Sequence, residues 1–224
     1  MAEDPDRKPR AYDSTNRREA ALRRRRDVMD ASRQAFLLNG YAASTVPSIA
    51  RTAGVAVDTV YALVGPKPQL FRLLVESAIS GEDGPVPALE REYVRQVQAE
   101  QDPRRKLLLY ARAVATLQER LAPLLSVLRE AAQAEPDLAS MWKDIGARRA
   151  ANMLMLATEI DTSGTLRRGL SVEAAADIIW SMNSSEFYLL LVLERRWTPR
   201  NSALGSARPG AGCSSTIPPN DSST

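Results

Sequence analysis

The chain has 224 residues, with 30 Lys and Arg against 27 Asp and Glu, no histidine and a single cysteine, Cys213. Such a length builds one or two domains with a buried core. The missing histidine removes the commonest metal ligand and general base, and one cysteine cannot close an intrachain disulfide. No apolar run approaches the roughly 20 residues that span a bilayer, and the polar start MAEDPDRKPR is no signal peptide, so a cytoplasmic protein with no membrane partner is expected.

In chain order, residues 1–17 are polar and proline-containing and read as a disordered basic arm. A first helix is predicted from about Glu19 to Asn39, with Val28, Ser32, Ala35 and Phe36 on one face and Gly40 as its stop. A second, short helix starts after Thr45, whose hydroxyl suits an N-cap. Pro47 is tolerated in its first turn, where no amide donor is needed. Gly54 ends it, and a third helix covers about Val57 to Leu63. Gly65-Pro66 breaks the chain before a fourth helix, about Pro68 to Ile79. The run Gly81-Glu82-Asp83-Gly84-Pro85-Val86-Pro87 marks the domain boundary. Beyond it the apolar spacing predicts helices at about 88–99, 103–119, 122–134, 137–160, 172–183 and 185–195. Pro103, Pro123 and Pro136 stand near predicted starts, and Ser171 is a good N-cap. After Trp197-Thr198-Pro199 the composition turns to Gly, Pro, Ser and Asn, the mark of a disordered tail at 198–224. Strand signals are nearly absent, so the fold class is all-α.

Charge is unevenly spread. Residues 1–72 hold 13 Lys and Arg against 8 Asp and Glu, and the remainder is slightly acidic. The excess peaks at Arg7, Lys8, Arg10, Arg17, Arg18 and Arg23 to Arg26. One module that meets a polyanion, beside another that does not, accounts for this distribution; a merely solvated charge run is the plainer alternative.

The segment Gly40 to Leu70 carries most of the functional information. Two short helices joined by a tight turn at Gly54-Val55-Ala56 make a helix-turn-helix. Ala50 is small where the helices cross, and Ile49, Val55 and Val60 supply a small core. Thr45, Thr59, Tyr61 and Lys67 surround the candidate recognition helix with groups able to bond phosphate oxygens. Val57 and Asp58 sit where bases are chosen: a valine can touch a thymine methyl and a carboxylate can accept from cytosine N4. Asp58 can equally serve the N-terminal dipole of its helix.

The sequence here resembles the tetracycline-repressor (TetR) family. The resemblance rests on Ser32, Phe36, Gly40 and Tyr41, then Thr45, Ile49, Ala50, Ala53, Gly54, Val55, Thr59, Val60, Tyr61, Lys67 and Leu70 in register, about 45 residues in all. Departures from the family's pattern are Ala56 in place of a serine cap, Leu63 and Val64 in place of an aromatic pair, and Pro66 before Lys67. A weaker likeness continues at Glu135-Pro136-Asp137-Leu138, in the Gly164-to-Ser171 turn and from Glu194 to Pro199.

The resemblance implies a two-domain homodimer. An N-terminal helix-turn-helix domain, residues 18–80, binds double-stranded DNA through Thr45, Val57, Asp58, Thr59, Tyr61 and Lys67. A helical domain, 88–197, binds a small apolar ligand and the second subunit. Tyr110, Leu117, Leu121, Trp142, Met153 and Leu156 are the candidates for the ligand pocket, although helix packing explains any one of them. Ile178, Met182, Phe187, Leu190 and Leu191 give the last two helices more apolar surface than a monomer needs, and the resemblance implies a four-helix dimer interface there. The function so implied is a transcriptional repressor released from a palindromic operator by its ligand, with no metal, cofactor or catalytic residue. The alternative is a helical interaction module without specific DNA binding, which leaves the helix-turn-helix pattern unexplained.

Overall fold

The computed structural model describes residues 11–81 and 84–198, with side chains from residue 16 onward. The expectations for residues 1–10, for Glu82 and Asp83 and for the tail from Pro199, Cys213 included, lie outside the described residues. Every regular element among those described is helical: α1 (Ala11–Ala43), α2 (Val46–Thr52), α3 (Val57–Val64), α4 (Lys67–Ser80), a single 3-10 turn (Ala88–Glu90), α5 (Glu92–Ala99), α6 (Pro103–Ala131), α7 (Pro136–Thr162), α8 (Val172–Met182) and α9 (Ser185–Leu189), which runs on into a π-helical turn (Leu190–Glu194). No helix among them is long and apolar enough to cross a membrane.

Local chemistry explains most of the boundaries. Gly40 has φ 73° and ψ 175°, so the regular part of α1 stops there and Tyr41 to Ala43 form a separate turn. Thr45, Asp102, Ser171 and Ser184 each accept a backbone N–H from the first turn of the helix that follows, satisfying a donor that has no partner within the helix. Pro47, Pro68, Pro103 and Pro136 fall in first turns, where a missing N–H costs nothing.

Two expectations are corrected. Residues 11–17, read as part of a disordered arm, belong to α1. The predicted helices 103–119 and 122–134 are one helix, α6, with Pro123 inside it. A proline there removes one main-chain bond and typically costs about 3 kcal/mol. Leu121, Ala122, Leu124, Leu125 and Leu128 around it are buried, and their burial holds the helix continuous.

The predicted boundary at 81–87 is not a boundary of the core. One apolar cluster joins Val28 and Phe36 of α1, Ile49 of α2, Val60 and Val64 of α3 and Leu70, Phe71 and Leu74 of α4 to Leu121, Leu124, Leu125 and Leu128 of α6 and Leu138, Met141 and Ile145 of α7. Phe36, Tyr41 and Phe71 form an aromatic trio inside it, with ring centroids 5.0–5.6 Å apart. Polar bonds cross the same junction. Arg120 of α6 donates from Nε to the Ala78 carbonyl in the last turn of α4, and Arg33 of α1 donates to the Arg120 carbonyl at 2.9 Å. Arg148 of α7 pairs with Glu76 of α4 at 3.0 Å. The Arg120 cation also stands against the negative end of the α4 dipole. The far end of the bundle has two small clusters of its own, one around Met153, Ala157, Ala175 and Ala176, the other around Val97, Leu156 and Ile160.

Candidate nucleic-acid interface

The α2–turn–α3 unit is built by its own residues. The Thr45 side chain caps α2 by accepting from the Ser48 amide at 3.3 Å. Gly54, at φ 67°, makes the left-handed turn that a side chain would strain, and the Val55 amide donates back to the Ala50 carbonyl at 3.0 Å. Ala56 starts α3 with no side-chain cap. Asp58 in the first turn supplies a negative charge at the N-terminus of α3 instead. Val60 and Val64 anchor α3 in the core, so the opposite face, with Asp58 and Tyr61, is turned to solvent.

The six residues expected to meet DNA differ in how free they are. Thr45 and Asp58 are exposed, and Tyr61 is 48% exposed. Thr59 and Val57 are half-buried, and Val57 packs against the core with only part of its side chain outward. Lys67, at the start of α4, is half-buried. Its Nζ lies 4.1 Å from the centre of the Tyr41 ring and donates to the Ala42 carbonyl at 3.4 Å. Partial burial lowers its pKa, and the charge of Glu135 opposes that shift. The ring thus positions the ammonium by a cation–π contact and leaves its remaining donors for an incoming anion. Burial raises the Tyr41 hydroxyl to about 12, with the carboxylates Glu135 and Asp137 adding to the effect.

Sequence reasoning did not single out Arg25. Within the run Arg23 to Arg26 it reaches α3, donating from Nη1 to the Leu63 carbonyl at 3.2 Å. It satisfies a last-turn carbonyl of the recognition helix and fixes that helix to α1. A helical wheel drawn from Val28 places Arg25 on the same side as Ser32 and Phe36, a signal available in the sequence.

The six candidate pocket residues are not brought together. Leu117, Leu121 and Trp142 belong to the core shared with the DNA-binding helices, so they couple the two halves of the molecule. Tyr110 and Met153 meet in one of the small clusters and Leu156 lies in the other, which Tyr110 also touches. Here the structure shows a buried polar network. The Tyr110 hydroxyl donates to Met153 Sδ at 3.1 Å, and Asn183 Nδ2 donates to the Tyr110 hydroxyl oxygen and to Met153 Sδ. Gln118 donates to the Asn183 carbonyl at 2.7 Å and accepts from the Ser185 hydroxyl at 2.9 Å. Burial raises the Tyr110 hydroxyl far above its ordinary value, partly offset by the bond from Asn183. Gln118, Asn183 and Ser185 carry polar side chains rather than an apolar stripe, so hydropathy spacing passes over them.

On the far side, Ile178 is 42% exposed and Leu190 50% exposed. Met182, Phe187 and Leu191 are half-buried, and Leu193 extends the exposed apolar surface of the last turn. α8 and α9 therefore present outward apolar side chains beside the faces that pack on α7 and α6.

Comparison with known proteins bears on this geometry. Residues 28–72 match the profile of the family described as "Bacterial regulatory proteins, tetR family". The match spans the C-terminal half of α1, all of α2 and α3 and the first turns of α4, the same helix-turn-helix described above. No match is found among curated protein sequences. Three solved structures share the fold over more than four fifths of the chain. The transcriptional regulator FadR from Bacillus subtilis, solved in complex with stearoyl-CoA, is 20% identical, with a TM-score of 0.62 over 81% of this chain and 94% of that one. NalD, the secondary repressor of the MexAB-OprM multidrug efflux pump in Pseudomonas aeruginosa, is 20% identical, with a TM-score of 0.61 over 82% and 92%. A protein described as a TetR-family transcriptional regulator from Mesorhizobium loti is 20% identical, with a TM-score of 0.60 over 84% and 93%. The all-α architecture, with an N-terminal helix-turn-helix domain and a helical C-terminal domain, is therefore that of TetR-family regulators.

Proposed function

We propose that the chain is a homodimeric transcriptional regulator, a repressor that binds a palindromic operator and is released from it by a small apolar molecule. The observation that carries this reading is the outward face of α3 beside a capped α2, with Thr45, Asp58, Tyr61 and Lys67 around it in a domain of the TetR family. Thr45, Thr59, Tyr61 and Lys67 contact phosphates and set the register. Asp58 and the outward part of Val57 choose bases. Two copies of α3 about 34–36 Å apart then read successive major grooves.

The ligand half of the reading is supported by FadR, solved with stearoyl-CoA. Within this chain the proposed site is the Tyr110–Met153–Asn183 cluster, with Leu156 beside it. Helix α6 joins that cluster to the DNA-binding helices: Tyr110 and Gln118 lie at one part of it, and Arg120 to Leu128 at the other. A ligand that favours a different setting of α6 shifts the population away from the DNA-binding spacing, and it weakens operator binding only by its differential affinity for the two states. Ile178, Met182, Phe187, Leu190 and Leu191 are proposed to hold the dimer.

Filter binding to mixed-sequence duplex DNA at low salt tests the reading. The wild-type chain is expected to bind, and Lys67→Ala and Tyr61→Phe to weaken binding to all sequences alike; Lys67→Ala, which removes a cation, also flattens the salt dependence by about one unit of slope per protomer. A wild-type chain that does not retain DNA would favour the helical interaction module instead.

A further inference from the structure

Arg149 of α7 is a half-buried cation without an anion. It stands four residues before Met153, so the two side chains share a face of the helix. Its guanidinium lies 4.3 Å from the centre of the Trp180 ring of α8. Its Nε is buried and has no hydrogen-bond partner, and Arg149 forms no ion pair among the described residues. Glu186, whose charge reaches it, is engaged by Arg129 at 3.1 Å. Burial lowers the Arg149 pKa, and Glu186 and Tyr110 oppose that shift. Arginine keeps its proton in proteins, so a charge is held partly out of water against an indole face. A cation–π contact compensates only part of that cost.

The neighbouring polar groups are donors that also lack a strong acceptor. The Tyr110 hydroxyl and Asn183 Nδ2 both donate to Met153 Sδ, at 3.1 Å and 3.2 Å, and a thioether is a weak acceptor. Met153 and Asn183 are buried, so bulk solvent does not make up the deficit. Hydrocarbon continues from this point: Ala157, Ala175 and Ala176 are buried with Met153, and Leu166 and Ile179 pack on them. One end of the region therefore offers a positive charge and poorly matched donors, and the other offers only apolar side chains. That polarity matches a molecule with an anionic head and an apolar body. A single negative charge fits best, because one guanidinium faces it and Glu186 nearby repels a second.

We infer that the ligand is an amphipathic monocarboxylic acid whose carboxylate is bound by Arg149 and the Tyr110 hydroxyl. The guanidinium fork suits a carboxylate, and the Tyr110 proton turns from Met153 Sδ to a ligand oxygen, a far stronger acceptor. The apolar body lies along Met153, Ala157 and Ile179. Arg149 is half-buried and Trp180 is 38% exposed, so the end that takes the head group is the one open to solvent. The inference rests on the ligand site proposed above and adds the charge of its ligand.

Calorimetric titration of the full chain at neutral pH tests it with two acids, decanoate and 2-naphthoate, each beside its uncharged counterpart, decan-1-ol and 2-naphthol. At least one acid is expected to bind about 10- to 100-fold more tightly than its alcohol, the range for a charge-assisted bond. Arg149→Met is expected to abolish that preference and leave the alcohol affinity unchanged, and Arg149→Lys to keep part of it. Without ligand, Arg149→Met is expected to melt no lower than the wild type, because an apolar side chain replaces an unpaired, half-buried cation, and to sediment as the wild type does. A lower melting temperature with the acid preference intact would make Arg149 a structural partner of Trp180 and overturn the inference. A smaller sedimenting species would pair Arg149 with a carboxylate of the partner subunit and overturn it as well. If acids and alcohols bind alike, the ligand site stands and the anionic head falls. If none of the four binds the wild type, the reading of the ligand site falls with it.

Discussion

Leu124 lies beyond the sequence boundary at 81–87, yet it is fully buried in the cluster that contains Ile49, Val60 and Phe71. Leu124→Ala removes three carbon atoms from that cluster and leaves a cavity bounded by a 29-residue helix that cannot easily collapse into it. Substitutions of this type cost about 2–5 kcal/mol, and the upper part of the range applies where the surroundings are rigid. Domains are commonly stable by only about 5–15 kcal/mol. The loss is therefore a large share of the total, and with a urea slope of about 1–3 kcal/mol per molar it moves the midpoint by about 1 M or more. Because the core is shared, the helix-turn-helix loses its stability together with the bundle. The assay is urea unfolding followed by two probes: the fluorescence of Trp142, which packs against this cluster, and hydrogen exchange at α2 and α3. Both are expected to shift to the same extent. If α2 and α3 keep wild-type protection while the Trp142 transition moves, the two halves are independent domains and the coupling assigned to α6 is wrong.

Three further outcomes are expected. Leu190→Glu places a charge on the exposed apolar face of the π-helical turn after α9 twice in a two-fold dimer; an unpaired buried charge costs several kcal/mol, so sedimentation should show monomers and tight operator binding should disappear, whereas a stable dimer would place the interface elsewhere. Asp58→Ala and Val57→Ala are expected to alter the selected operator consensus, since a good base contact contributes about 1–3 kcal/mol of discrimination; an identical consensus in both variants would move base choice to other residues. Tyr41 titrates near 12 in the fold against an ordinary value of 10, so the stability tied to its neutral hydroxyl is complete below pH 10 and is lost as the pH rises toward 12. Tyr41→Phe should reduce the alkaline slope of stability, although Tyr110 and Tyr188 are pushed in the same direction and retain part of it.

The helix-turn-helix was legible because its determinants are local. Thr45 caps, Gly54 turns with positive φ, and Ile49 and Val60 are buried at the spacing the sequence prescribes. The continuity of α6 was not legible. Pro123 reads as a helix start, and only the tertiary burial of Leu121 to Leu128 overrides it. The same tertiary origin explains Leu117, Leu121 and Trp142. Their helical spacing shows that they are covered, but not whether α1 to α4 or a ligand covers them. The polar network of Gln118, Asn183 and Ser185 was missed because periodicity registers apolar residues, and Arg25 because four adjacent arginines look alike until one is seen to reach α3.

The central claim, specific operator binding by a two-fold pair of recognition helices, is tested most directly by selecting genomic DNA fragments with the purified chain and sequencing those retained. The expected result is enrichment of an inverted repeat whose half-sites lie about 10–10.5 base pairs apart, or a multiple of that spacing. Retained fragments that share no motif, or a motif without two-fold symmetry, would contradict it.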